Sequence, residues 1–157
     1  MATVIINGRK KAQVREGLAR VVTGSIEFAS RGDADIVKIT EEVAEAVTQT
    51  GLMDGTVTVF VPGATGALTT IEYEPGVVAD VQRALDVIAP AHGVYQHNVN
   101  LGDGNGHSHV RAGLVGPSLT IPFVDGRLTL GRYQDIVFCD FDARPRERSL
   151  VVQVMGV

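Results

Sequence analysis

The chain contains no tryptophan, a single cysteine, and aromatic residues at only 5% of its 157 positions. Without large rings, core volume has to come from Val, Ile, Leu and Ala. The lone Cys139 excludes an intrachain disulfide and fits a reducing compartment. Positive charge is scarce: 14 Lys and Arg stand against 18 Asp and Glu, a formal net charge of −4. Nucleic-acid binders carry the opposite balance to neutralise phosphates, so nucleic acid is not an expected partner. Long apolar runs are missing as well. The longest uncharged stretch, Gly55 to Ile71, is interrupted by Pro62, Gly63, Gly66 and several threonines, and it predicts no membrane span. Residues 1–8 lack the basic and apolar regions of a signal peptide. The expectation is a soluble cytoplasmic protein with no membrane partner.

What is present is ordinary for one globular domain: 45% hydrophobic and 20% charged residues. The first 22 residues stand apart as an N-terminal arm, with the domain proper at 23–157. Val4–Ile6 suggests a short strand, and Arg9, Lys10, Lys11, Arg15 and Arg20 concentrate charge. Val14, Leu18 and Val21 recur at helical spacing, which predicts an amphipathic helix over 9–22. Such an arm is either solvated or subunit-docking, or it holds an anion.

Strand-like alternation covers 25–30 and 35–39. Thr40 reads as an N-cap with Glu41 and Glu42 in the first turn, Val43, Ala44 and Val47 as the buried stripe, and Gly51 as the stop. Residues 56–61 and 68–73 read as strands. Glu74-Pro75 opens a second helix with Val77, Val81, Leu85 and Ile88 inward, ended by Pro90. Residues 91–104 look like loop, and Asn105 is placed to cap a short helix carrying Val110 and Leu114 inward. Residues 119–124 and 127–130 flank Asp125-Gly126, a strong hairpin signal; strands over 135–141 and 148–155 follow. The sum is α+β, with one mixed sheet or a sandwich and helices outside.

All four histidines, His92, His97, His107 and His109, fall within a Gly-rich stretch, as polar groups do when a scaffold carries a site on its loops. Residues 107 and 109, two apart on a helix, point to nearly opposite sides. Only one of them can share a site with His97, and His109 is the choice. Their chemistry stays open: ligands for a divalent metal (Mg or Zn) with Glu72 or Asp80, general acid/base or phosphate contacts, or histidines satisfied by loop backbone. Glu72 is either solvent-facing or the wall of a polar cavity or subunit interface. Asp80 flanks the second helix's core stripe. Gln134, following Gly131-Arg-Tyr, is an uncharged donor and acceptor able to orient a ligand. No phosphate-cradling Gly-rich loop, H-E-x-x-H, paired C-x-x-C or G-x-S-x-G occurs.

The ordered set Gly55…Val59-Phe-Val-Pro62, Thr65-Gly-Ala-Leu-Thr-Thr-Ile-Glu-Tyr-Glu-Pro-Gly76, Tyr95-x-His97, Asn105-Gly-His-Ser-His109, Leu114-Val-Gly-Pro-Ser-Leu119 and Asp125-Gly-Arg-Leu-Thr-Leu-Gly131 with Tyr133-Gln134 resembles the YjbQ family. The resemblance covers roughly residues 25–156. It implies an α+β fold built on a mixed β-sandwich with a few helices outside, and a homotrimer whose pockets lie near subunit boundaries. It also implies a thiamine-phosphate synthase activity, in which a pyrimidine diphosphate is joined to a thiazole phosphate and pyrophosphate is released. The family's polar signature maps onto Glu72, Asp80, His97, Asn105, His109 and Gln134. Two places depart from it. Many members carry His-Thr-Thr where Gly63-Ala64-Thr65 stands, and a Trp where Tyr133 stands. As a transferase, the chain would use His97, His109 and Glu72 as its catalytic or metal-holding set, with Arg111, Arg127 and Arg132 against phosphate. As a non-catalytic trimer with an altered site, it would hold a metal ion or small anion at His97 and His109.

Overall fold

Four successive apolar residues, Ile136 to Cys139, leave neither face of a strand polar, and such a strand belongs between two layers. The computed structural model describes residues 14–157 and, ahead of them, the backbone of two short strands. The elements run β1 (Ile5–Ile6), β2 (Lys10–Lys11), β3 (Arg20–Ser30), β4 (Asp35–Lys38), α1 (Thr40–Thr50), β5 (Gly55–Phe60), β6 (Gly66–Ile71) and α2 (Pro75–Ile88). They continue with α3 (Gln96–Leu101), α4 (Gly106–Val115), β7 (Ser118–Val124), β8 (Arg127–Leu128), β9 (Asp135–Asp140) and β10 (Arg146–Gly156). Five strands form one sheet in the order β3-β10-β5-β7-β8, and three form another in the order β4-β9-β6.

Among the described residues every strand pairing is antiparallel, which corrects the mixed sheet expected above. The reason lies in the crossovers. α1 carries the chain from β4 in the smaller sheet to β5 in the larger, and α2 to α4 carry it from β6 to β7. Neither returns the chain to its own sheet, so no parallel neighbours arise.

β9 then takes the place its sequence demands. Ile136 and Phe138 join Val57, Val59, Val152 and the α1 residues Val43 and Val47 in the larger core. Val137 and Cys139 join Leu85 of α2 and Ala112 of α4 in a second core on the other side. Full burial of such side chains contributes about 1.5–3 kcal/mol each. The same burial pushes the Cys139 thiol up to about 12, which keeps it protonated and unreactive.

Local details depart from the sequence reading in instructive ways. No helix spans 9–22: Lys10–Lys11 pairs with Ile5–Ile6, residues 14–19 have no regular structure, and Arg20 onward is strand. The β-branched Val21-Val22-Thr23 run meets a full-length partner, since β3 pairs with β10 from Arg20↔Gly156 to Ser30↔Arg146. The remaining residues of 1–13 lie outside the described part. Thr40 is the first helical residue rather than the cap. Its hydroxyl donates to Asp135 (3.0 Å) and accepts from the Ile136 N–H (2.9 Å), tying α1 to β9. Glu74 does cap α2, its carboxylate accepting the Gly76 N–H at 2.8 Å, with Pro75 in the first turn. Ile88 at the far end of α2 is exposed. Asp125 and Gly126 have φ of 51° and 71°, the left-handed pair of a type I′ hairpin, although β8 is only two residues long. No described helix is long and apolar enough to cross a membrane.

Candidate functional site

The segment expected to be loop folds into α3, a six-residue helix with no buried side chain. Gly102, at φ 72°, ends it and donates its N–H to the Asn98 carbonyl. The Asn98 side chain accepts the Gly106 N–H at 2.8 Å, joining the end of α3 to the start of α4. The join is close because residue 106 has no side chain. A Cβ there would stand 2.5 Å from the Tyr95 Cβ and 2.9 Å from Asn98 Oδ1. α4 packs in turn on β6, so the corner rests on the smaller sheet.

This corner brings His97 of α3 against His109 of α4, with ring centroids 4.4 Å apart and planes inclined at 57°. His97 Nε2 is 3.0 Å from the Asp103 carboxylate. Asn105 leaves α4 without a side-chain cap. Its amide, with nitrogen turned to the pair, lies 3.0 Å from both His97 Nε2 and Asp103 Oδ1. With the Asn105 amide donating to both, Nε2 is an acceptor and the ring proton lies on Nδ1; with Nε2 protonated, it donates to Asp103 instead. Both imidazoles are half-buried. Asp103 was not foreseen. Its signal was a carboxylate between Gly102 and Gly104, six residues after a histidine.

His107 faces the other way, as helical spacing requires. It is 4% exposed, and its Nδ1 has no hydrogen-bond partner among the described residues. Burial, reinforced by the charge of Arg111, holds its pKa below the usual imidazole value. The expectation that Val110 and Leu114 turn inward is corrected. Both are exposed, and α4 instead buries Gly106, His107, Ser108, Arg111 and Ala112; three of these five are short, and Arg111 is held by its bonds to Ala89 and Asp86.

The remaining candidates stand outside this hydrogen-bonded group. Glu72 follows β6 directly and is exposed. Gln134 donates to Thr70 Oγ1 (2.9 Å) and accepts the Gly131 N–H (3.1 Å), fastening the turn before β9 to β6. Asp80 is exposed and paired with Arg83 at 2.8 Å. Arg111 is only 2% exposed. It donates to the Ala89 carbonyl (2.9 Å) and to Asp86 (2.5 Å), bracing α4 against the end of α2. Arg132 lies over the Tyr133 ring at 5.1 Å. Among the described residues no three or more His, Cys, Asp or Glu side chains are grouped to hold a metal ion.

A second polar group lies behind Gly63. Asp140, fully buried, accepts from Arg148 Nε (2.7 Å) and Nη2 (2.5 Å), from Ser30 Oγ and from the Asp142 N–H (3.0 Å). Arg148 also donates to Thr65 at 3.1 Å. Burial acts to raise the Asp142 carboxyl, but bonds from Arg146, the Arg144 N–H and Thr65 outweigh it and leave its pKa below the usual range. With every carboxylate oxygen pair bonded, this network fixes the turn after Pro62 in place.

Comparison with known proteins is consistent across sequence and fold. A family profile described as UPF0047 protein YjbQ-like matches residues 24–157. A UPF0047 protein of Methanothermobacter thermautotrophicus is 32% identical over 136 residues, covering 87% of this chain and 93% of its own. The UPF0047 protein YugU of Bacillus subtilis is 33% identical over 124 residues, covering 78% and 90%. Among solved structures, a YbjQ-like protein of unknown function from Sulfolobus solfataricus superposes with a TM-score of 0.84 at 26% identity, covering 89% of this chain and all of that one. An uncharacterised YjbQ/UPF0047 protein of Clostridium acetobutylicum gives a TM-score of 0.74 at 36% identity, covering 82% and 98%.

Proposed function

The chain belongs to the UPF0047 YjbQ-like family, and on that premise we propose that its functional centre is the α3–α4 corner, binding the phosphate of a small phosphorylated molecule. The observation that carries this reading is the contact of His97 with His109, ring centroids 4.4 Å apart, with Asp103 on His97 Nε2. Two imidazoles at that separation can each offer a ring N–H donor to one anion. The half-exposed setting lets a ligand reach them.

A divalent cation would find two ligands here, and imidazole favours zinc over magnesium. It would need a third ligand from outside the group, from the bound phosphate or from another copy of the chain. The family's homotrimer, with pockets near subunit boundaries, belongs to this reading; there an exposed Glu72 can serve a neighbour.

Transfer of a pyrimidine diphosphate onto a thiazole phosphate is the chemical extension of the same site. Loss of pyrophosphate requires the leaving charge to be neutralised. Within one chain two of the three named cations are otherwise engaged, Arg111 in the brace to Asp86 and Arg132 on Tyr133, and Gly63 supplies no third imidazole. We therefore favour a binding protein over a transferase. Titration calorimetry with inorganic phosphate and pyrophosphate tests the site: wild type binds, while His97→Ala and His109→Ala each weaken binding by roughly tenfold or more. Equal affinity in all three proteins would remove the corner from the function. Elemental analysis of the purified protein tests the zinc arm. Product formation from the pyrimidine diphosphate and thiazole phosphate with Mg²⁺, lost in His97→Ala and Glu72→Ala, would restore the transferase reading.

A further inference from the structure

The larger sheet ends on β3, which pairs with β10 on one side and, among the described residues, with no strand on the other. Such an edge offers unpaired N–H and C=O groups, and proteins commonly blunt one with proline, charge or a short strand. β3 has little of this protection. It is 11 residues long, contains no proline, and carries two charged side chains, Arg20 and Glu27. The Arg20 guanidinium is engaged by the Thr50 carbonyl at 2.7 Å.

Beside that edge the core is open. Alternation puts Val22 and Gly24 on the same face as Ile26 and Phe28, which pack on the larger core. Gly24 has no side chain to fill its place, and a Cβ there would meet nothing within 4 Å. The result is a hollow of about 260 Å³ between β3 and α1, walled by Val22 and Ala46 and floored by Val152 and Val154. A second hollow of about 300 Å³ adjoins it through Ser25, Ala46 and Gln49, and is lined by Glu27, Glu42 and Glu45. Among the described residues these three carboxylates have no cation beside them; Glu27 accepts from Ser25 at 3.5 Å and Glu45 from Gln49 at 2.9 Å.

We propose that an extended, positively charged peptide of another protein binds here, adding a strand to β3 and setting its side chains beneath α1. Strand addition takes affinity from main-chain hydrogen bonds and specificity from pockets that receive alternate side chains. Both are offered side by side. Positions 22–27 span ~20 Å of edge, with the apolar hollow toward one end and the acidic one toward the other. Side chains on one face of a strand recur every second residue. The ligand therefore carries an aliphatic residue and a lysine or arginine an even number of positions apart. Two other occupants fit less well. Arg15 ties the chain ahead of β3 to Asp54 and Asp125, on the β7–β8 side of the sheet, so the N-terminal segment sets out away from the groove. A second copy, at net charge −4, would bring like charge to an acidic wall. The α3–α4 corner rests on the smaller sheet, so this groove stands or falls independently of the function proposed there.

Fluorescence anisotropy with a labelled, end-blocked octapeptide, Thr-Lys-Thr-Val-Thr-Lys-Thr-Val, tests the proposal. Wild type binds it saturably and does not bind the peptide with glutamate in place of lysine. Gly24→Val fills the apolar hollow with a residue suited to a strand and abolishes binding, while thermal unfolding shows the fold retained. Glu42→Lys/Glu45→Lys, on the exposed side of α1, weakens binding by roughly tenfold or more. Of two peptides N-methylated at alternate residues, one on each edge, only one loses binding, because a single edge of the peptide pairs with β3. A wild type that ignores the lysine peptide overturns the proposal. So does equal binding of the glutamate peptide, of both methylated peptides, or by both protein variants. Binding that appears only once residues 1–13 are removed overturns it too, since the occupant is then the chain's own arm.

Discussion

Replacement of Arg148 by methionine isolates the contribution of the buried pair with Asp140. Methionine keeps an unbranched stem near Phe138, over whose ring the guanidinium lies at 5.8 Å, and deletes only the charge and its hydrogen bonds. Asp140 is fully buried and Arg148 is 13% exposed, so solvent does little to screen the loss. Breaking such a pair by removing one member destabilises by about 3–5 kcal/mol, since the other charge is left uncompensated. Ser30 Oγ and the Asp142 N–H still donate to the carboxylate, which places the expected value near ~3 kcal/mol at the low end of that range. For a chain of this length that corresponds to a fall in Tm of about 6–12 °C. In urea the midpoint should move down with the m-value unchanged. The double variant Asp140→Asn/Arg148→Met removes the orphaned charge and should recover about half the loss. A single-variant effect below ~1 kcal/mol, the worth of an exposed pair, would refute the reasoning, and so would a double variant no more stable than the single.

Three further outcomes follow from named positions. The folded pKa of His107 lies below its ordinary value of 6.5, so its contribution to stability is complete above that pH and is lost as pH falls through the depressed value. Wild type should lose urea stability between pH 7.5 and 5 more steeply than His107→Gln; identical slopes would remove His107 as a cause. Gly106→Ala forces a Cβ into Tyr95 and should cost about 1–3 kcal/mol. Altered imidazole NMR signals of His97 and His109 should accompany the loss, whereas unchanged stability would show that the α3–α4 contact yields. In Gly63→His the added Cβ meets nothing nearer than Arg148 Nη1 at 3.9 Å and Val61 Cγ1 at 4.0 Å. The variant's stability should stay within ~0.5 kcal/mol of wild type, and a larger loss in thermal unfolding would mean the space beside Pro62 is needed empty.

The parts of the fold readable from sequence were those with a strong local cause. β5 alternates its buried valines, Glu74-Pro75 starts α2, and Asp125-Gly126 turns the hairpin. Each of these is decided by residues within a few positions of one another. α3 was missed because it buries nothing and so has no apolar stripe. α4 was found but turned the wrong way, since it packs with Gly, Ser and Ala and a bonded arginine rather than with its valine and leucine. At Val21 the spacing to Val14 and Leu18 suits a helix, whereas the partner that makes it a strand, β10, lies far along the chain. At the site, helical geometry separated His109 from His107 correctly. Asp103 and Gly106 depend on how two short helices meet, which spacing does not encode.

β10 runs between β3 and β5, so the widest sheet is held together by a strand that joins it out of order. Thr23 waits for Gln153, 130 residues later, before its own strand has any neighbour. During synthesis the early ribbon must persist unpaired, or be shielded, while everything between is made, and the search for its mate closes a very large loop. Folding of this chain should therefore finish late and nearly all at once. Loss of residues 146–156 would do more than trim an edge: it would unzip the sheet down its middle and set β3 adrift.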